Sequence, residues 1–518
     1  EGKDTQIALD GSIGLQVHLG QFHAIEYDEW SSQIAFVAMF LADHQANKQM
    51  EEILGASPNR FPITESAVVK QGNALRISWD NVCPMDENTV IMGNPPFNGY
   101  SLMTKEQRED TAAVWDGVHG SGVLDYVLNW FLIAAKWSEA SGARAAFVAT
   151  SSISQGEQPA VLWSKLFSIG MGIDFAYRSF WWDNGAAVHC VIIGFSSLPK
   201  QKRIPLWSFP DVKDEPVLEM VASINPYLIA GSNIVVSSRS RPLVPGVQIM
   251  EKGSIPTDDG YLSSISAEEA ERIRQQDPIA AKYLRRLIGA RELLNNTERY
   301  CLWLADVEPS EIRKSPEIYS RISSVRDFRL SSKKSKTRED ANRANEFQEI
   351  RQPRTNYIAI PLHTSEDREY VPMGFMPSEV VANNALSVIA DGSLRTFGML
   401  MSRSFNVWNK TVSGRLESRT RISGTITYNN FPFPETTTEQ DELIEQAARL
   451  VLDAREKYPS SSLADLYDPM TMPVELRKAH QHLDKFTLAA FALKSSATDE
   501  EILRELFRLY ESATRGLI

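Results

Sequence analysis

The arrangement of apolar residues over the first 200 positions constrains the fold more than any other feature of the chain. Short apolar runs that predict β-strands alternate with stretches in which apolar residues recur at helical spacing, as at Ile34, Val37 and Leu41. The predicted strands are QFHAIE (21–26), AVVKQG (67–72), TVIMG (89–93), RAAFVAT (144–150) and VHCVIIGF (188–195). This alternation predicts an α/β domain with a doubly wound sheet, whose ligands bind at the carboxyl ends of the strands.

The pattern changes twice after residue 200. From 201 to 434 it breaks into short segments separated by Pro and Gly, which predicts an α+β domain. From 435 to 518 apolar residues recur at helical spacing, which predicts a helical region. With residues 1–200, these segments are predicted to form three domains, in agreement with about 100–200 residues per domain.

Composition excludes several classes of protein. Hydrophobic residues make up 43% and charged residues 23%, which is typical of a folded globular chain rather than a disordered one. Cys83, Cys190 and Cys301 are too far apart for a zinc knuckle or a redox pair, and their odd number favours a reducing, cytoplasmic compartment. Because the chain has no long apolar run and no metal-ligand spacing among its histidines, we expect neither a membrane nor a metal as a partner. The sequence does not predict an oligomeric state.

The charge is unevenly distributed along the chain. The formal net charge is -12, but residues 321–354 contain ten Lys or Arg against five acids. The region from 435 to the end contains 16 acids and 10 bases. The middle of the chain can therefore present a positive surface to a polyanion although the whole chain is acidic.

The motif Gly93-Asn94-Pro95-Pro96-Phe97 directly follows the predicted strand TVIMG. Two prolines remove backbone donors and fix φ, so the loop is stiff and holds Asn94 where such sheets bind ligands. The Asn94 side-chain oxygen and a neighbouring carbonyl can both accept from one exocyclic amino group, while Phe97 can stack on the ring that bears it. The alternative is a Pro-Pro turn in which Asn94 only caps the backbone.

In this context GNPPF resembles the catalytic motif of the amino-methyltransferases that use S-adenosylmethionine, above all the adenine-N6 DNA methyltransferases. The segment from QFHAIEYDEW to IAFVAMFLADHQ resembles that family's second motif, and QGNALRISW resembles its third. With LDYVLNWFLIAA, RAAFVATSSISQGEQ and the run from SFWWDN to VHCVIIGF, these segments resemble the methyltransferase half of the MmeI-type single-chain restriction and modification enzymes, type IIG or IIL. PYLIAGSNIVV, CLWL, GRLESRTRISGTITYNNFPFP and the helical tail resemble the target-recognition region of the same group.

The resemblance implies a class I methyltransferase sheet that binds S-adenosylmethionine. Glu26, with Tyr27 beside it, would accept hydrogen bonds from the cofactor ribose. Asn73 would bind the cofactor adenine edge, with Ala74 and Leu75 lining the ring pocket. The alternatives are a solvated acid at Glu26 and a turn asparagine at Asn73.

The resemblance also implies how the target base is held. Asn94 and the Pro95 carbonyl would hold the N6 amino group of adenine, in a loop that Pro96 and Phe97 complete. Because adenine inside a duplex cannot reach such a pocket, the base must be flipped out and stacked on apolar or aromatic groups. Phe97 would supply one face of the stack, and the candidates for the other are Phe180, Trp181 and above all Trp182.

The predicted partner is double-stranded DNA. The basic run 321–354 would neutralise phosphates. The resemblance places Glu417 and Arg419 in the segment where this group varies its target base, so these two would read bases, while Arg415 and Arg421 would serve phosphates instead. The alternative for the basic run is a solvated surface. The predicted DNA-binding residues are Arg326, Arg329, Lys333, Lys334, Lys336, Arg415, Glu417, Arg419 and Arg421.

One departure from the family pattern concerns the start of the chain. The family's first motif is a Gly-rich turn after a strand, and residues 1–20 do not supply it, since the segment 10–14 reads as a loop. The nuclease region of such enzymes is not recognisable either, and the sequence does not begin with Met. We therefore expect a chain truncated within its methyltransferase domain, with reduced affinity for the cofactor and a nuclease region further upstream.

The sequence leaves three functions to compare. The first is a sequence-specific adenine-N6 DNA methyltransferase from a restriction and modification or phage-defence polypeptide. The second is a methyltransferase acting on a protein glutamine, whose amide resembles the amino group of adenine. The third is a DNA-binding specificity fragment that does not bind the cofactor.

Overall fold

The computed structural model describes residues 17–54, 65–182, 188–197, 202–209, 215–416 and 418–515. The chain forms two compact units. The first comprises Glu1–Ile153 and Val161–Met220, and the second comprises Ser154–Ala160 and Val221–Ile518. Within the described ranges, no helix is both long and apolar enough to span a membrane.

The first unit alternates strands and helices. Its strands are β1 (His23–Glu26), β2 (Val68–Gln71), β3 (Val90–Gly93), β4 (Arg144–Thr150), β5 (Gly172–Trp182), β6 (Val188–Ser196), β7 (Ile204–Ser208) and β8 (Val217–Val221). Its helices are α1 (Glu29–Leu54), α2 (Lys105–Val114), α3 (Leu128–Ser141) and α4 (Gln158–Ser168). One-turn 3-10 segments lie at Leu19–Gln21, Trp79–Asn81, Ser121–Val123 and Ser151–Ser154.

These strands form two sheets. β1 and β2 pair in parallel, and the other six are ordered β3-β4-β6-β5-β7-β8. β3 and β4 are parallel, and β6 runs antiparallel to both β4 and β5. The larger sheet is held against α3 by an aromatic cluster in which the Phe131 ring lies 5.2 Å from Phe147 and 5.5 Å from Phe195. All five strands predicted from the sequence are confirmed, and so is the α/β class of this unit.

The second unit combines short strands with helices. Its strands are β9 (Glu251–Lys252), β10 (Leu284–Ile288), β11 (Tyr300–Leu302), β12 (Tyr357–Pro361), β13 (His363–Thr364), β14 (Gly374–Met376), β15 (Val381–Ala382), β16 (Leu386–Ala390), β17 (Arg415–Leu416) and β18 (Arg419–Arg421). Its helices are α5 (Ala267–Gln276), α6 (Pro278–Ala281), α7 (Ala290–Asn295), α8 (Pro309–Lys314), α9 (Pro316–Leu330), α10 (Ser335–Glu339), α11 (Leu394–Leu400), α12 (Arg403–Val412), α13 (Thr438–Glu456), α14 (Leu463–Leu466), α15 (Val474–Ala490) and α16 (Asp499–Thr514). A 3-10 turn lies at Asp340–Arg343 and a π-type turn at Gly424–Tyr428.

The predicted helical region packs against the α+β region through an apolar core. Helix α13 begins at Thr438 because Gln440 and Thr437 exchange hydrogen bonds between side chain and backbone, a capping box. Ile444, Ala447 and Val451 then recur at helical spacing and are fully buried. The Trp408 ring lies 5.2 Å from Phe507, so α12 and α16 share this core.

A buried polar cluster lies between α15 and the α+β region. Tyr370 Oη donates to Asp484 Oδ2 at 2.7 Å, and Arg403 N donates to Asp484 Oδ1 at 2.8 Å. The His480 ring stacks on Tyr370 at 4.0 Å. Burial raises the pKa of the Asp484 carboxyl to about 6, because desolvation penalises the charged form more than these partners stabilise it.

Residues 154–160 follow β4 along the chain and include the first residues of α4, but they belong to the second unit. Gly156 N donates to Val412 O at 3.0 Å, at the end of α12. Gly156 has a φ of +66°, and a Cβ there would lie 3.2 Å from the Cα of Gly414. Both the backbone conformation and the close approach therefore favour glycine at position 156.

Candidate active site

The carboxyl ends of β1 and β2 bring two predicted cofactor-binding segments together. Glu26 pairs with Gln71 at the end of the parallel ladder, and Gly72 N donates to Glu26 O at 2.8 Å. Gly72 has a φ of +145°, and a Cβ at this position would lie 2.5 Å from Ile77 Cδ1. Glycine is therefore required where the chain turns from β2 toward Asn73.

Glu26 and Tyr27 have side chains that are accessible from solvent. The Glu26 carboxylate is half-buried and accepts no hydrogen bond from the residues that the structure describes, and Tyr27 is 67% exposed. An unpartnered carboxylate at the end of a parallel strand can accept from the hydroxyls of a ribose.

The side-chain amide of Asn73 is held in place by hydrogen bonds at both its nitrogen and its oxygen. Its Nδ2 donates to Asp110 Oδ2 at 2.9 Å, and its Oδ1 accepts from Leu75 N at 2.9 Å. Ala74 and Leu75 are half-buried, and Trp79 Nε1 donates to Ala74 O at 2.8 Å. The loop after β2 thus has a fixed shape, with one lone pair of Asn73 Oδ1 still available to an external donor.

Asp110, in α2, is the centre of this arrangement. It also accepts from Arg76 Nε at 2.7 Å and from Tyr126 Oη at 2.8 Å, and it is 4% exposed. Burial by itself raises the pKa of Asp110, but the hydrogen bonds from Arg76, Asn73 and Tyr126 outweigh it, so the pKa is lowered. Burial and the bond to Asp110 raise the pKa of the Tyr126 hydroxyl. Sequence reasoning missed Asp110, because an acid in the polar helix KEQREDTAAV gives no signal that it is buried.

The Asn94 loop follows β3 at the carboxyl end of the larger sheet. Asn94 is exposed, and its amide has no hydrogen bond within the described chain. Pro95 is buried and Pro96 exposed, while Phe97 is half-buried. The loop is therefore anchored by Pro95 and presents a free amide, with an aromatic ring three residues away.

Asp125 and Tyr126 connect this loop to its surroundings. Tyr126 N donates to Asn98 O at 2.8 Å, and Tyr100 N donates to Asp125 Oδ1 at 3.1 Å. Asp125 Oδ2 accepts from Ser152 Oγ at 2.7 Å, just beyond the end of β4. Together with the bond from Tyr126 to Asp110, these contacts join the Asn94 loop to the loop that contains Asn73.

The three candidate stacking aromatics lie on β5. Trp181 pairs with His189 of β6, and its ring meets the His189 ring edge to face at 5.1 Å. The Trp182 ring lies 6.0 Å from Phe180, and Phe180 lies 5.3 Å from Phe209. Both tryptophans are half-buried.

The prediction that Arg329 contacts DNA is wrong. Arg329 is fully buried in the second unit, and its five N–H groups donate to five backbone carbonyls at 2.7–3.0 Å. The acceptors are the carbonyl oxygens of Pro256, Thr257, Asp340, Arg343 and Glu346. With every donor engaged inside the protein, Arg329 has none for a phosphate.

The other predicted DNA-binding residues differ in whether they form ion pairs within the protein. Arg326, Lys333 and Lys334 are exposed and form no ion pair with any described residue. Lys336 pairs with Asp340 at 3.4 Å, and Arg415 pairs with Glu366 at 2.7 Å. Several further cations of the 321–354 run are engaged within the protein, namely Arg321, Arg338, Arg343 and Arg351.

Arg419 and Arg421 are exposed on β18, the central strand of a small sheet ordered β13-β18-β17. His363 lies opposite Arg421 on β13. Burial, with the charges of Arg421 and Arg419, lowers the pKa of His363. Glu417 lies outside the described residues.

Comparison with known proteins defines the class of this molecule. Three family models cover nearly the whole chain: the MmeI DNA-methyltransferase domain matches residues 3–207, the MmeI target recognition domain matches 230–435, and the MmeI C-terminal domain matches 436–518. The molecule therefore has the architecture of a methyltransferase domain followed by target-recognition and C-terminal domains.

This chain belongs to the MmeI family. It superimposes with a TM-score of 0.85 on the type IIL restriction-modification enzyme MmeI, solved in complex with DNA, at 39% sequence identity over 98% of this chain and 68% of that one. It is also 36% identical over 506 residues to DNA methyltransferase A of Bacillus subtilis (strain 168). That alignment covers 96% of this chain and 56% of the relative, so the chain spans just over half the length of that protein.

Proposed function

We propose that this chain transfers a methyl group from S-adenosylmethionine to the N6 amino group of an adenine flipped out of double-stranded DNA, as part of a restriction and modification or phage-defence system. The observation that carries the proposal is the exposed, unpartnered amide of Asn94, fixed next to the buried Pro95 at the carboxyl end of β3. The match to a methyltransferase domain and a target-recognition domain supports the reaction and its substrate.

The residues at the ends of β1 and β2 fit two parts of the cofactor. The free carboxylate of Glu26 can accept from the ribose hydroxyls, with Tyr27 exposed beside it. Asn73 Oδ1 keeps a lone pair for the adenine amino group, and the half-buried Ala74 and Leu75 offer apolar surface to the ring. When bound, the cofactor supplies an electrophilic methyl group.

Residues of this chain would orient the nucleophile, which is the N6 amino group of adenine. Asn94 Oδ1 and the Pro95 carbonyl would each accept one hydrogen of the adenine amino group, which fixes the direction of the nitrogen lone pair. Phe97 would stack on the flipped base, and Trp182 or Trp181 would supply a second face. Positioning of this kind commonly contributes several orders of magnitude in rate.

A protein glutamine is the second candidate substrate, since its amide also presents an NH₂ group. The recognition region favours DNA, because residues 230–435 match a target recognition domain and a glutamine methyltransferase needs no such region. A DNA-binding fragment without activity is the third candidate. The nuclease region expected upstream stays a prediction.

The proposal is tested by transfer of a radiolabelled methyl group to duplex DNA and, in parallel, to glutamine-containing peptides. We expect label in adenine of the duplex and none in peptide. Asn94→Ala should reduce transfer to less than about a tenth of wild type while duplex binding persists, because it removes only the orienting acceptor. Asn88→Ala, at an exposed asparagine just before β3, is the matched control and should leave transfer unchanged. Label in peptide alone would support the glutamine substrate, and duplex binding without any transfer would support the fragment.

A further inference from the structure

An exposed segment of the second unit, residues 237–241 with the sequence SSRSR, belongs to no helix or strand. It begins after the buried Val236, whose N–H donates to Tyr227 Oη at 2.9 Å. It ends before Leu243, which packs against the core of this unit. Both ends are therefore fixed, although the segment has no secondary structure of its own.

The backbone of this segment is also fixed along its length. Arg239 N donates to Thr425 O at 3.0 Å, and Asn429 Nδ2 donates to Arg239 O at 2.9 Å. Asn430 Nδ2 donates to Ser237 O at 2.9 Å. Because Asn429 is 3% exposed and Asn430 fully buried, two enclosed side chains hold an exposed loop in one shape.

Several groups of this segment that can donate a hydrogen bond have no partner among the described residues. Ser237, Ser238 and Ser240 are exposed, and within the described chain their hydroxyls form no hydrogen bond. The N–H groups of Ser238 and Ser240 also donate to no described acceptor. Arg241 is exposed and forms no ion pair there.

The Arg239 guanidinium also has no acceptor among the described residues. Arg239 is half-buried, and its Nε is enclosed by the protein without a hydrogen-bond partner there. Two guanidinium groups, three hydroxyls and two free backbone N–H groups on one rigid segment form a donor set that suits an anion.

We propose that residues 237–241 bind the phosphate backbone of duplex DNA near β18, the strand that contains the predicted base-reading residue Arg419. Arginine, serine and backbone N–H groups are common donors to DNA phosphates, and such contacts set the register of the groups that read bases. The segment adjoins Thr425, only four residues after Arg421. By contrast, much of the basic run 321–354 is engaged in pairs inside the protein. The inference rests on the proposed function for the identity of the polyanion.

The test is the dependence of duplex affinity on salt, measured without methyl transfer. Each phosphate contact contributes about 0.9 to the slope of log affinity against log salt. Arg241→Gln should therefore lower the slope by about 1 and weaken binding to target and non-target duplexes by the same factor. Ser240→Ala should weaken binding to both duplexes without changing the slope by as much.

The matched control is Arg313→Gln, which removes an exposed arginine on α8 that forms no ion pair with any described residue. An unchanged salt slope in Arg241→Gln overturns the inference, because Arg241 would then contact no phosphate. An equal change of slope in Arg313→Gln also overturns it, because the effect would then depend on the net charge of the protein and not on a binding site at residues 237–241.

The inference and the proposed function can fail separately. If wild type methylates duplex DNA but Arg241→Gln keeps the full slope, the segment does not bind phosphate and the function stands. If wild type binds duplex without methylating it, and Arg241→Gln lowers the slope, the segment binds phosphate and the function fails. If wild type does not bind duplex at all, both are wrong.

Discussion

Tyr126 Oη donates to Asp110 Oδ2 at 2.8 Å, and this bond joins the two loops that form the candidate active site. Asp110 holds Asn73 in the loop after β2, while Tyr126 holds the backbone of Asn98 in the Asn94 loop. Asp110 and Tyr126 therefore affect the candidate site by positioning Asn73 and the Asn94 loop.

Tyr126→Phe should weaken cofactor binding more than it slows the chemical step. A hydrogen bond to a charged group contributes about 1.5–3 kcal/mol, and about 1.4 kcal/mol corresponds to a factor of ten. We therefore expect the KM for S-adenosylmethionine to rise at least about tenfold, with a smaller fall in kcat. Steady-state kinetics check this, with Tyr100→Phe as the control, since the Tyr100 side chain is 50% exposed and its hydroxyl has no described partner. Equal effects of the two substitutions would contradict the prediction.

Arg329→Met should destabilise the second unit and leave the salt dependence of DNA binding unchanged. The substitution leaves five backbone carbonyls without their donors, so we expect a loss of at least about 3 kcal/mol in the free energy of unfolding. Arg326→Met, on the exposed side of the same helix α9, should change it by less than about 0.5 kcal/mol. Urea unfolding measures both. A stable Arg329→Met protein with reduced duplex affinity would mean that this guanidinium does reach DNA.

Trp182→Ala should weaken binding to a duplex whose target adenine is mismatched by about 1–3 kcal/mol, because it removes a stacking surface for the flipped base. The fluorescence of 2-aminopurine placed at the target position reports the same event, and it should change between wild type and variant. An identical signal in the two proteins would exclude Trp182 from the pocket and leave Trp181 as the remaining tryptophan.

The stability of the second unit should depend on pH through Asp484. Its pKa is about 6 in the folded protein against an ordinary value of 3.8, so between these values the folded state holds a proton that the unfolded chain has released. Stability from this group is therefore present at low pH and is lost as the pH rises to 6, by up to about 3 kcal/mol. Asp484→Asn should remove this part of the pH dependence in urea unfolding from pH 4 to 7.5. Asp453→Asn, at an exposed position on α13, should retain it.

The strands of the first unit could be predicted because the chemistry that forms them is local. β3 and β4 are short apolar runs bounded by turn residues, and their predicted ranges agree with the structure within one residue. β5 was not predicted, because GIDFAYRSFWW mixes polar and aromatic residues without regular alternation and its pairing with β6 is interrupted by register shifts.

The supporting residues of the site could not be predicted in the same way. Asp110 contacts Asn73 and Tyr126 across separations of 37 and 16 residues, and only the fold brings these residues together. The burial of Arg329, by contrast, is indicated by the spacing of residues in the sequence. Arg329 follows the buried Ile318 and Val325 at helical spacing, so its place on α9 is on the buried face. Because arginine is rarely fully buried, the periodicity alone does not distinguish a buried Arg329 from an exposed one.

The position of residues 154–160 limits which segments could be exchanged between relatives of this family. Exchange of recognition regions between relatives by recombination requires segments that can be moved without breaking contacts. A crossover that transfers only residues 221–435 leaves Gly156 behind, although its backbone bonds Val412 and lies against Gly414. Exchange is therefore compatible with the fold only when the incoming region keeps a small residue opposite Gly156, or when the short loop after β4 is inherited with it.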